Sequence, residues 1–103
     1  MNTGPVDALH RWSAEQKERL GRVGISLEYV ESANAESRSA SVDLESDAVI
    51  GRATVWDAGF CDLELLSVET GGQLLFQHHD QVTGVRIAAL LDDLANRMGA
   101  ALS

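Results

Sequence analysis

A chain of 103 residues, 45% hydrophobic and 23% charged, has the size of one ordinary domain; a second would be implausibly small, so a single domain over residues 1–103 is expected. Its apolar runs fall far short of the roughly 18 residues of a membrane-spanning helix, and residues 1–13 lack the basic patch and apolar core of a signal peptide, so a cytoplasmic location without a membrane partner is expected. Sixteen acidic residues against eight basic ones give a formal charge of −8, which argues against unaided binding to nucleic acid or anionic lipid and favours capture of a cationic protein, although many merely soluble proteins are also acidic.

Thr3-Gly4-Pro5 predicts a helix entry, with Thr3 or Gly4 as the cap and Pro5 in the first turn, where its missing N–H is no loss. Leu9, Trp12, Leu20 and Val23 then recur at helical spacing, and Gly21 or Gly24 supplies the stop. Trp12 on that stripe belongs to the core. From Ile25 the period becomes two: Ile25, Leu27 and Tyr29, then Ala40, Val42 and Leu44, alternate with polar residues, which predicts strands with one wet face. Ser32 to Ser37 make a polar loop between them, and Glu45-Ser46-Asp47 the next turn.

Trp56-Asp57-Ala58-Gly59-Phe60 is the most sharply specified piece, because a three-residue loop ending in glycine suits a type I turn followed by a left-handed residue. That turn fixes a register. Trp56 then opposes Phe60, Thr54 opposes Asp62 and Arg52 opposes Glu64 on one face, while Val55 with Cys61 and Ala53 with Leu63 point to the other. After a turn at Thr70-Gly71-Gly72, Gln73 to His78 run back as a strand with Leu74 and Phe76 facing the core; a slip of one residue would reverse those faces. Asp80 or Thr83 caps a last helix whose stripe is Ile87, Leu91, Leu94 and Met98, flanked by Leu90. The fold class is therefore α+β: an N-terminal helix, an antiparallel sheet of about five strands in meander order, and a C-terminal helix, with both helices on one sheet face. The other face is left for a partner.

The chemistry-bearing residues assemble poorly. His78 and His79 are adjacent on a strand and point to opposite faces, so no metal site is expected from them. Cys61 is the only cysteine, which leaves no intramolecular disulfide; it falls on the inward face beside Leu63 and Leu65, where a buried inert thiol is expected rather than a nucleophile. Asp62 and Glu64 could be drawn as an acid–base pair, but Arg52 opposite Glu64 would keep a carboxylate ionised, and a cross-strand charge pair is the plainer account. Gly71-Gly72 lacks the pattern of a phosphate loop. No enzyme activity and no cofactor are expected.

Trp56 shares the uncovered face with Arg52, Thr54, Phe60, Asp62 and Glu64, and an aromatic anchor ringed by polar groups is the usual anatomy of an interface. Two readings stand: an anchor for a partner, or a Trp56–Phe60 pair that only clamps the hairpin end.

The central segment, Ser41-Val42-Asp43-Leu44-Glu45-Ser46-Asp47, Ile50-Gly51-Arg52-Ala53-Thr54-Val55-Trp56, Gly59, Cys61-Asp62-Leu63-Glu64-Leu65-Leu66, then Val68-Glu69-Thr70-Gly71 and Phe76-Gln77-His78-His79, resembles the TriTu family of bacterial immunity proteins. The likeness covers roughly half the chain, the two helices matching only in kind; the closing strand departs from the family's Glu-His-Tyr-like run. The resemblance implies a non-enzymatic antitoxin that binds a cognate polymorphic toxin domain, namely an ADP-ribosyltransferase delivered by type VI secretion that modifies elongation factor Tu. On that basis Trp56 is the expected anchor, with Asp43, Asp57, Asp62 and Glu64 offering carboxylates to toxin arginines or lysines. A monomer, or a one-to-one complex with the toxin, is expected. The rival class is a small acidic effector chaperone or adaptor of a secretion system, which would hold an extended segment and favour a homodimer.

Overall fold

Pro5 opens the first helix as the sequence predicts. In a computed structural model, which describes residues 4–32 and 37–100, α1 runs over Pro5–Arg22. Gly4 holds the cap position without a side chain to offer, and Thr3, the alternative cap, lies outside the described residues. The acceptor comes instead from the hairpin: Val6 N–H donates to Asp57 Oδ1 at 2.9 Å. A carboxylate at the positive end of a helix satisfies an orphan donor and complements the dipole. Asp57→Ala should therefore cost about 0.5–2 kcal/mol, the range of cap deletions, seen as a lower urea midpoint at unchanged slope, while Asp57→Asn, which keeps an acceptor, should recover most of the loss.

At its other end α1 closes through glycine. Gly24 takes φ +80, its N–H bonds Gly21 C=O, and Ile25 N–H bonds Leu20 C=O at 2.9 Å. This pair of bonds is the Schellman closure, sealed here by buried Leu20 and Ile25. Val23, expected on the apolar stripe, is exposed at the C-cap; the stripe is completed instead by Val6, which precedes Leu9, Trp12 and Leu20.

The strands are β1 (Ser26–Glu31), β2 (Ser39–Glu45), β3 (Val49–Trp56), β4 (Phe60–Ser67) and β5 (Gln73–His79), followed by α2 (Gly84–Arg97). They form one antiparallel sheet in the order β1-β2-β3-β4-β5, the meander predicted. The loop read at Ser32 to Ser37 lies partly outside the described residues, which omit 33–36. Around Gly59, with φ +107, the β3–β4 hairpin keeps the register read from its turn: Trp56 opposite Phe60, Val55 opposite Cys61, Thr54 opposite Asp62, Ala53 opposite Leu63 and Arg52 opposite Glu64.

β5 departs from the expected facing. Leu66 pairs with Gln73 but Leu65 pairs with Leu75, so Leu74 is an extra residue in a bulge. Without it Leu65 would face Leu74 and Leu63 would face Phe76, which is the arrangement the alternation suggested. One inserted residue turns the rest of the strand over. Leu74 and Phe76 are consequently 58% and 54% exposed, Leu75 packs against the core, and Phe76 and His78 stand opposite Glu64 and Asp62.

Both helices lie on the sheet face that carries Leu27, Val42, Leu44, Ala53, Val55, Cys61, Leu63 and Leu65, and with Leu9, Trp12, Ile87, Leu91 and Leu94 they form one buried cluster. Trp12 is core, and its indole Nε1 donates to Asp92 at 2.8 Å, tying α1 to α2. Thr83 is the N-cap of α2 by position, although its side chain makes no capping bond. Arg38 binds the start of β2 to its surroundings: its guanidinium reaches Asp7 at 2.8 Å, Glu31 at 2.6 Å and Asp57 at 3.7 Å, while Asp57 N–H donates to its carbonyl. Helix, edge strand and hairpin tip are thus joined at one point.

Candidate partner-binding face

The face of the sheet opposite the helices is built by strand alternation alone. Direct pairing lines its residues in rows across the strands: Ser39, Trp56 and Phe60; Val30, Ser41, Thr54, Asp62 and His78; Glu28, Asp43, Arg52, Glu64 and Phe76; Ser26, Glu45, Ile50, Leu66 and Gln73. None of these side chains is fully buried, and no described helix packs on them.

Trp56, Arg52, Thr54, Phe60, Asp62, Glu64 and Asp43 all fall on this face. Asp57 does not join them. It lies beyond the strand end in the turn, where its carboxylate is committed to the N-terminus of α1 and to Arg38.

Polar groups on the face are already ordered among themselves. Arg52 donates from Nε to Asp43 Oδ1 at 2.7 Å and from Nη2 to Oδ2 at 3.2 Å, a bidentate pair, and that hydrogen-bonded carboxylate raises the guanidinium pKa. The expected Arg52–Glu64 pairing is therefore correct in register but not in contact, because Arg52 turns to β2 rather than β4. Glu64 instead accepts from Gln73 Nε2 at 3.1 Å. Exposed pairs of this kind contribute about 0–1 kcal/mol to stability; their value lies in fixing which groups point outward.

The aromatic end of the face is different in kind. Phe60, 42% exposed, stacks on the His78 imidazole with ring centroids 5.9 Å apart and planes 25° from parallel. His78 Nδ1 bonds Asp62 Oδ1, and Trp56, Phe60, Asp62 and His78 enclose a shallow depression of about 290 Å³. His78 and Phe76 were absent from the residues singled out for this face in the sequence. The bulge at Leu74 put them there, and a Leu-Leu pair gives a period-two reading no preference for which leucine turns inward.

Behind the face, Cys61 is buried among apolar side chains as expected. Burial pushes its thiol up to about 12 from 9.0, with a smaller push from Asp62. Tyr29 is raised to about 12 from 10.0, first by burial and then by Glu31. Both groups are held neutral in the fold, so stability is fully present below their ordinary values and falls as pH rises through about 12. The native protein should leave Cys61 unmodified by a thiol reagent at pH 8, with reaction appearing only in denaturant; quantitative labelling of the folded protein would contradict this placement. His79 turns away from His78, its Nε2 lying 3.2 Å from Gln77 Oε1 on the helix side, so the two imidazoles do not converge.

This geometry is suited to recognition: an open sheet face with an aromatic depression at one end and carboxylates across the rest. A search of curated proteins gives no match. The family model described as immunity protein TriTu matches residues 7–97. That span runs from the first turn of α1 to the last residue of α2 and takes in every strand, extending the resemblance from the central segment to both helices, and the chain belongs to the TriTu family of immunity proteins.

Proposed function

We propose that this protein is an antitoxin that neutralises a cognate secreted toxin domain by laying its open sheet face over the toxin's active site. The observation that carries the reading is the partly exposed cluster of Trp56, Phe60 and His78 among carboxylates on the face that neither helix covers. Tryptophan anchored in such a setting is the residue type that dominates interface energetics. Five strands spaced about 4.8 Å, each about seven residues at about 3.3 Å per residue, give a face of roughly 500 Å² in projection. Specific interfaces bury ~800 Å² of accessible surface per partner, and a face of this projection, corrugated by its side chains, is of that order.

The partner is a polymorphic ADP-ribosyltransferase domain, delivered by type VI secretion and acting on elongation factor Tu, which the antitoxin meets in the cytoplasm. Acting by occlusion, it needs no catalytic group or cofactor of its own. A net charge of −8 suits a toxin whose substrate cleft is basic, and it speeds encounter at low salt. Calorimetry with the toxin domain encoded beside this gene, together with an assay of labelled NAD transfer, tests the reading. One-to-one binding with loss of transfer is expected. Binding only to an unfolded or N-terminal effector segment would replace it with the chaperone reading.

A further inference from the structure

We propose that the depression between Trp56, Phe60 and His78 seats the guanidinium of an arginine side chain from the bound protein, flat against the rings and paired with Asp62. The inference rests on the open face being the binding surface, and it goes further by naming the chemistry of the contact.

Three of the four lining residues present rings. Phe60 and His78 stack on each other, and Trp56 stands opposite Phe60 across the hairpin, so the depression offers aromatic surface on which a planar group can lie. The fourth residue is an anion. Asp62 Oδ1 is taken by His78 Nδ1, and the side chain, still 31% exposed, keeps a second oxygen to accept from an incoming donor at the rim. An aliphatic occupant would match the largely apolar lining but would leave the Asp62 carboxylate beside it without a new partner. A carboxylate would meet Asp62, Glu64 in the neighbouring row, and a molecule of charge −8. An ammonium could pair with Asp62 but has no flat surface to lay on the rings. A guanidinium does both, donating to the carboxylate while stacking on aromatic faces. The cation in the middle of this face, Arg52, does not compete, because Asp43 holds it from the other side.

The test is calorimetry with the toxin domain encoded beside this gene, with thermal melting of each variant as the control for folding. Asp62→Asn keeps the shape and removes the charge; it should weaken binding by about 30-fold or more. Phe60→Leu should weaken it comparably by removing the stacking wall, while Glu45→Gln, at the far end of the same face, should change it less than about 3-fold. In the toxin, one Arg→Lys substitution should reproduce the Asp62→Asn loss, and the two losses should fail to add when combined. Wild-type affinity for Asp62→Asn and Phe60→Leu, or losses that add with every toxin arginine, would overturn the guanidinium seat. If Trp56→Ala still abolished binding in that case, the open face would stand as the interface without this contact. If no substitution on the face weakened binding, both readings would fall together.

Discussion

Trp56→Ala should lower affinity for the toxin domain by about 100-fold or more, equivalent to about 2–4 kcal/mol for a central aromatic anchor, while costing the fold no more than about 1 kcal/mol. The two effects separate because Trp56 has little to do inside the fold. It is only partly buried on a face away from the helices, and its cross-strand partner is Phe60. A pair of that kind contributes about 0.2–1 kcal/mol, against a total stability of about 5–15 kcal/mol for a domain of this size. If Trp56 and Phe60 only clamp the hairpin end, the same small loss of stability comes with affinity unchanged. Asp43→Ala is the matched control on the same face. Its carboxylate is committed to Arg52, so its removal should weaken binding far less than removal of Trp56; near-equal small effects would eliminate Trp56 as the anchor.

The largest effect on stability is expected from the opposite side of the sheet. Leu91 is 0% exposed in the cluster where α2 meets the sheet and α1. Truncation to alanine removes transferred apolar surface and leaves a cavity that the strands and α1 cannot fully close, at a cost of about 2–5 kcal/mol. For a domain near this length each kcal/mol lowers the melting temperature by about 4–8 °C, so Leu91→Ala should melt at least about 8 °C below the wild type. Affinity of the molecules that remain folded should be unchanged, because α2 lies behind the sheet. A loss below about 1 kcal/mol would show that α2 is not docked through this side chain.

Much of this division was legible in the sequence because two local rules agreed. The Trp56-to-Phe60 turn specifies its own register through Gly59, and that register sends Val55, Ala53, Cys61 and Leu63 one way and Trp56, Thr54, Phe60 and Asp62 the other. Pro5 and the helical spacing of Leu9, Trp12 and Leu20 likewise place α1. The misreadings fall where the local rules name no winner. Asp57 caps a helix 51 residues away, which neither the spacing of α1 nor the turn could reveal. The bulge at Leu74 carries no glycine or proline to mark it, and it alone decides that Phe76 and His78 join the open face. Arg52 has carboxylates on both neighbouring strands, Asp43 and Glu64. The hairpin turn named only Glu64; the β2–β3 register that brings Asp43 alongside and the side-chain geometry that selects it are seen in the structure. The family resemblance, first carried by the central strands, covers almost the whole chain at residues 7–97.

The chain contains two tryptophans, so its proton–nitrogen spectrum holds two indole signals, one from each side of the sheet. Trp12 Nε1 is bonded to Asp92 beneath the helices, whereas Trp56 lines the open depression. Cross-saturation from an unlabelled toxin domain to the labelled antitoxin reads the two in one experiment. Strong attenuation of the Trp56 indole with the Trp12 indole unaffected is the expected result. Attenuation confined to Trp12 and the outer surfaces of α1 and α2, with Trp56 untouched, would contradict the assignment of the open sheet face as the binding surface.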